Sequence, residues 1–244
     1  MSTIEIMAHL VMGFPRKEAT TESARALADR GVRILELQIP FSDPTADGPV
    51  NTRACETSLR EGFRVAHAGE YIRSVQEMGF TEVHVMTYAN IPFRFGFDRY
   101  LRTMKDLGVT GVIVPDLPIE DDEGFYASAG IIGIDALPVA VPNMGASRIK
   151  LMQGMNPNRI YAALREGVTG RSTGITDDAK QFLTSLAGPK IYAGFGISSA
   201  EQVSDLKGYA YAAVIGSHIT RAIASGPDWY DQVSRAIEQC MPDT

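Results

Sequence analysis

A chain of 244 residues, 45% hydrophobic and 21% charged, carries enough apolar mass for a large core without disulfide or metal staples, and its length suits one closed α/β barrel. The net charge of −6, with no runs of Lys and Arg, argues against a nucleic-acid partner. It leaves room for an anionic small substrate, because a few backbone N–H groups at a helix start can hold a phosphate whatever the total charge.

In chain order, short β-branched or apolar runs alternate with longer amphipathic stretches. Strands are predicted at Ile6–Met12, Ile34–Gln38, Glu82–Thr87, Gly111–Val114, Gly133–Val139, Arg159–Ala163, Lys190–Ala193 and Ala212–Ile215, with helical patterns in the intervals and at the C-terminal end. Eight such βα units predict a (β/α)₈ barrel, a single catalytic domain over residues 1–244. Turn formers follow the strands directly, as in Gly13-Phe14-Pro15, Pro40-Phe41-Ser42-Asp43-Pro44, Pro115-Asp116-Leu117-Pro118, Pro142-Asn143 and Gly194-Phe195-Gly196. In a βα barrel these loops form the rim that carries the chemistry. The two cysteines, Cys55 and Cys240, lack metal-like spacing and read as buried or idle thiols, and no metal site is expected. The N-terminus has no basic segment leading into an apolar stretch, and no run approaches the roughly eighteen apolar residues of a membrane span. A soluble, cytoplasmic chain with no membrane partner is expected.

Strand alternation in Ile34-Leu35-Glu36-Leu37-Gln38 sets Leu35 and Leu37 on one face and Ile34, Glu36 and Gln38 on the other. A carboxylate therefore points into a parallel-barrel core, where it is either structurally paired or functional. Asp43 and Asp47 follow in a loop rich in turn formers, and each could serve as a turn or cap residue. Together with Glu36, one of them would supply two carboxyl groups in different surroundings, the arrangement that acid–base work uses. Gly167-Val168-Thr169-Gly170, Gly194-Phe195-Gly196-Ile197-Ser198 and Gly216-Ser217 follow the last three predicted strands, the sector in which such barrels bind phosphate. Tyr88, Asn90, Tyr161 and Arg165 lie at or beyond strand ends, where they could line a pocket or simply pack. His9, His67, His84 and His218 have no metal-ligand spacing and read as structural or surface residues.

The run Leu35-Glu36-Leu37-Gln38-Ile39-Pro40-Phe41-Ser42-Asp43-Pro44-Thr45-Ala46-Asp47-Gly48-Pro49 resembles the signature of tryptophan synthase alpha subunits, which usually reads LELGVPFSDPLADGP. Met86-Thr87-Tyr88-Ala89-Asn90, Val114-Pro115-Asp116-Leu117-Pro118, Tyr161, the Gly-Val-Thr-Gly containing Thr169, Gly194-Phe195-Gly196-Ile197-Ser198 and Gly216-Ser217 extend the resemblance over nearly the whole chain. The resemblance implies retro-aldol cleavage of indole-3-glycerol phosphate to indole and glyceraldehyde 3-phosphate, without a metal or Schiff-base lysine. It implies Glu36 as the acid/base, Asp47 as the group that holds the indole N–H, and Tyr161 as the tyrosine beside the catalytic glutamate. Thr169 would belong to a closing loop, Gly170, Gly196, Gly216 and Ser217 to the phosphate site, and Phe195 to the indole pocket. No cofactor is implied in this chain. A pyridoxal-phosphate beta subunit is implied as partner, facing the loop of Asp43 in an alpha2beta2 assembly.

Three features depart from that pattern. The family usually begins with an extra helix before strand one, which this sequence lacks. Gln38 replaces a usual glycine on the lumen side of strand two, close to Glu36 and Asp47, and is expected either to narrow the pocket or to bond a different substrate. Leu164 and Glu166 replace usually small residues beside the closing loop. These departures motivate two competing readings: a phosphate-binding barrel lyase acting on another aldol-type substrate, and a non-catalytic activator of a beta subunit.

Overall fold

The structure, a computed structural model, describes residues 4–164, 175–194 and 196–242. Its strands are β1 (Glu5–Val11), β2 (Ile34–Gln38), β3 (Glu82–Met86), β4 (Gly111–Ile113), β5 (Asp135–Leu137), β6 (Val139–Ala140), β7 (Arg159–Ala163), β8 (Lys190–Gly194) and β9 (Ala212–Ile215). All pairings are parallel, in the order β5-β4-β3-β2-β1-β9-β8-β7-β6. Helices fill the intervals, giving the (β/α)₈ barrel.

The predicted fifth strand, Gly133–Val139, is corrected in two ways. Gly133 instead ends the helix Phe125–Ile132 in a left-handed conformation, φ 77°, which its missing Cβ permits. Pro138 then divides the remainder into β5 and β6. Having no N–H to donate, it interrupts the ladder, while its carbonyl accepts from the Tyr161 amide at 3.0 Å. β5 pairs back to β4 and β6 forward to β7, so Pro138 sits where the two ends of the sheet meet.

Side-chain alternation separates two apolar layers. Met7, Ile34, Met86, Ile113, Leu137, Tyr192 and Val214 fill the barrel interior. Ala8, Leu10, Leu35, Leu37, Val83, Val85 and Val112 pack outward beneath the helices. Each large aliphatic side chain buried in these layers contributes about 1.5–3 kcal/mol relative to exposure. The helix Lys17–Asp29 lies close to the barrel because its buried face is small, with Ala19, Ala24 and Ala26 beside Leu27, and it packs against the helix Trp229–Glu238. Among the described residues no helix precedes β1, and none is long and apolar enough to cross a membrane. Cys55 and Cys240 are both buried free thiols, and burial pushes the Cys55 thiol up to about 12.

Candidate active site

A cavity of about 830 Å³ opens at the C-terminal ends of the strands, with His9, Glu36, Asp47, Asn51, Tyr161 and Gly216 in its wall. Glu36 is the middle residue of β2. The alternation that turns Leu35 and Leu37 toward the helices turns this carboxylate into the lumen, where it is 1% exposed. Its Oε1 lies 3.2 Å from Nδ1 of His9, and its buried Oε2 has no hydrogen-bond partner among the described residues. The register aligns His9 with Glu36 across β1 and β2, so the pairing follows from sheet geometry.

Asp47 reaches the same cavity from the loop after β2. That loop is folded back by the Thr45 amide on the Asp43 carbonyl at 2.9 Å and the Asp47 amide on the Pro44 carbonyl at 3.0 Å, before Pro49 opens the helix Pro49–Arg60. Two donors converge on Asp47 Oδ2: Nε2 of Gln38 at 2.6 Å and the Tyr88 hydroxyl at 2.8 Å. The Tyr88 oxygen also accepts from the Ala46 amide at 3.1 Å, and its ring stacks on Phe41 with centroids 5.2 Å apart. Gln38 is fully buried and bound to Asp47, and it is not among the described residues that line the cavity.

The Tyr161 hydroxyl is pushed well above the usual phenol range, first by burial and then by the charges of Glu36 and Asp47, so it stays protonated and available as a donor. Gly194 makes room for it, since a Cβ there would lie 3.3 Å from that hydroxyl and 3.2 Å from Val214. Gly216 and Ser217 open the helix Ser217–Ala224, and Gly196, in the left-handed region at φ 77°, stands on the same wall with Arg221. Free N–H groups at that helix start, beside a cation, suit an anion.

Not every expected residue joins the cavity. Asp43 is exposed on the outer side of its loop, accepting from Ser42 Oγ at 2.8 Å. Asn90 starts the helix Asn90–Phe95, outside the wall, and Tyr88 stands behind Asp47. Leu164 is buried in the wall. Thr169, Gly170 and Phe195, together with Arg165 and Glu166, lie outside the described residues. His9, read with the other three histidines as a structural or surface residue, lies in the cavity wall, 4% exposed and packed against Glu36. Sequence reasoning also missed Asn51 and Arg221. The signal for Asn51 was its place in the first turn of the helix after the Asp47 loop; that for Arg221 was its place one helical turn beyond Ser217.

Comparison with known proteins agrees with this geometry. The family model described as tryptophan synthase alpha chain matches residues 2–242. The tryptophan synthase alpha chain of Desulfotalea psychrophila is 36% identical over 228 residues, covering 92% of this chain and 90% of that protein. That of Helicobacter hepaticus is 34% identical over 229 residues, covering 90% and 86%. In the tryptophan synthase complex from Pyrococcus furiosus, a chain 28% identical superposes with a TM-score of 0.87 over 97% of both chains. With its barrel, its paired carboxylates and these relatives, the chain belongs to the tryptophan synthase alpha chain family.

Proposed function

We propose that this chain carries out its family's reaction with Glu36 and Asp47 as the working carboxylates. The family is a carbon–carbon lyase family that cleaves indole-3-glycerol phosphate to indole and glyceraldehyde 3-phosphate in tryptophan biosynthesis. The observation that carries the assignment is a buried carboxylate, Glu36, with one oxygen unpartnered among the described residues, in the cavity that Asp47 reaches from the neighbouring loop.

In this reading Glu36 takes the proton of the glycerol hydroxyl next to the ring and delivers a proton to the indole carbon as the bond from that carbon to the hydroxyl-bearing carbon breaks. The hydroxyl becomes the aldehyde of glyceraldehyde 3-phosphate, and the ring leaves as indole. Asp47, fixed through Oδ2, faces the indole N–H. As positive charge develops on the ring its attraction grows, and selective stabilisation of that state lowers the barrier. Tyr161 donates from beside Glu36, and Gly196, Gly216 and Ser217 receive the phosphate with Thr169 and Gly170 of the closing loop, while Phe195 flanks the indole. These steps draw on side chains and backbone amides of this chain alone, so no cofactor is assigned to it.

A pyridoxal-phosphate beta chain is the partner we assign, in an alpha2beta2 assembly with the exposed Asp43 loop at the contact and the cytoplasm as its place of action. The Pyrococcus furiosus relative, solved within a tryptophan synthase complex, supports such a partner. The test is indole release from indole-3-glycerol phosphate by the purified chain, with and without a beta chain. Glu36→Gln is expected to abolish turnover with little change in substrate binding, and Asp47→Asn to lower kcat by about 10²-fold or more. Near-normal turnover by Glu36→Gln would refute the assignment. Absence of indole from the unaltered chain, alone and with beta, would redirect the search to another aldol-type substrate.

A further inference from the structure

His9 stands against the proposed acid/base, yet the chemistry above gives it no part. Its ring is buried on the lumen side of β1, with Nδ1 3.2 Å from Glu36 Oε1. On its other side Nε2 meets Nδ2 of Asn51 at 3.5 Å, and Thr220 Oγ1 donates to Asn51 Oδ1 at 2.9 Å. The same Thr220 hydroxyl is 3.4 Å from the Gly216 carbonyl, at the start of the helix Ser217–Ala224. The Gly216 backbone passes close to the imidazole, since a Cβ there would meet three His9 carbons at 3.6 Å.

Counting donors and acceptors gives this chain two complete arrangements. With a neutral ring, Thr220 O–H donates to Asn51 Oδ1, Asn51 Nδ2 donates to His9 Nε2, and His9 Nδ1–H donates to Glu36 Oε1. With a protonated ring the Asn51 amide turns over. Its oxygen then accepts from Nε2–H, its nitrogen donates to Thr220 Oγ1, and the Thr220 hydroxyl rotates to donate to the Gly216 carbonyl. Neither arrangement leaves a member of the chain unpaired, so the ring can gain or lose a proton without the cost of an orphaned buried group. In both, His9 holds Oε1 and leaves Oε2 to the substrate.

We propose that His9 is the positioning residue of Glu36, clamping one carboxylate oxygen while Asn51 and Thr220 link its protonation to the backbone that opens the anion-binding helix. This rests on the assignment of Glu36 as the acid/base. Burial opposes charge on the ring, but Glu36 beside it and Asp47 on the next loop outweigh that, with Gln38 adding a hydrogen bond, and raise its proton affinity above that of free imidazole. Among the described residues, the other ionisable groups in the cavity wall are Tyr161 on β7, Asp116 on the loop after β4 and Arg221 on the helix Ser217–Ala224. The ring's charge change is therefore displaced upward from that of free imidazole, and a change of charge beside the acid/base can be read in the rate.

The experiment measures kcat and KM for indole release from about pH 5 to about pH 9, the span that brackets imidazole titration. It compares the unaltered chain with His9→Phe, His9→Asn and Glu36→Gln, each with a beta chain present and each checked by thermal melting. His9→Phe is expected to lower kcat about tenfold or more with KM nearly unchanged, and to remove one ionisation from the pH profile. This is less than the ~10²–10⁴-fold that an acid–base group itself contributes. His9→Asn keeps a short N–H donor for Oε1, so it should recover most of kcat while the ionisation stays absent. A folded His9→Phe chain with unaltered kcat and profile, beside an inactive Glu36→Gln, overturns the positioning role and leaves the lyase assignment standing. If His9→Phe does not fold, an unaltered profile in His9→Asn overturns it equally. Glu36→Gln at the normal rate overturns the assignment on which the inference rests.

Discussion

Asp47 shows what a single carboxylate needs before it can serve a ring nitrogen. Both of its intramolecular bonds, from Gln38 and Tyr88, fall on Oδ2, and among the described residues neither engages Oδ1. Hydrogen bonds to a charged group contribute about 1.5–3 kcal/mol each, enough to fix a loop side chain that is only half-buried. The glutamine that departs from the family pattern thus acts as a brace. Two braces on one oxygen predict coupling: Tyr88→Phe and Gln38→Ala should each lower kcat/KM for indole release by about tenfold, and the double variant should differ from the product of the two. A double-mutant cycle measures this, and strictly independent effects would show that the two donors do not share one task. That Glu36 points into the lumen could be read from strand alternation, because it rests on local chain geometry, whereas the choice of Asp47 over Asp43 and the role of each carboxylate came from the family resemblance. The partners of each could not, because Tyr88 meets Asp47, and His9 meets Glu36, only once strands distant in sequence lie side by side.

Strands were the most legible elements, and for a physical reason. Period-two alternation inside a barrel separates residues for two different cores, so Ile34, Leu35 and Leu37 announce both the strand and its inner face. The break at Pro138 was hidden in an apolar run, because alternation does not report a missing N–H. Register likewise has no sequence signature, although it decides where a glycine is required. Gly111 in β4 lies level with His84 of β3, and a Cβ there would stand 2.7 Å from both His84 Nδ1 and Leu137 Cδ1. All three residues are buried, so neither neighbour can move aside into solvent. Gly111→Ala is therefore expected to destabilise the fold by about 1–3 kcal/mol through overpacking. Urea unfolding reads this as a lower midpoint at unchanged slope, and an unshifted midpoint would mean that His84 has room to move.

Across the whole molecule the two ends of the barrel divide the work. The C-terminal rim carries Glu36 and Asp47, while the N-terminal ends of the strands carry a charged plug around Glu82, the first residue of β3. Glu82 Oε2 accepts from the Tyr192 hydroxyl at 2.5 Å and lies 3.1 Å from His84 Nε2. Its Oε1 is 3.2 Å from Arg159, which also pairs with Asp135. Strands β3, β5, β7 and β8 are tied together by these contacts, which close the barrel floor beneath the apolar interior. Burial alone would raise the carboxyl's proton affinity, but hydrogen bonds from His84, Tyr192 and Arg159 outweigh it and hold Glu82 well below the usual carboxylate range. A depressed folded-state value means that the stabilisation is present above the unfolded carboxyl value near 4.5 and drains away as pH falls below it. Glu82→Gln should remove that contribution at neutral pH, costing roughly 3 kcal/mol, the low end for breaking a buried pair, because Lys190 and Asp135 leave the floor partly open to water. Urea unfolding at neutral pH and again below about pH 4 distinguishes this from a packing defect. The gap between the two proteins should shrink in acid, because the unfolded chain takes up the proton that folded Glu82 resists, whereas a gap independent of pH would assign the loss to shape and remove the plug's charge from the account of stability.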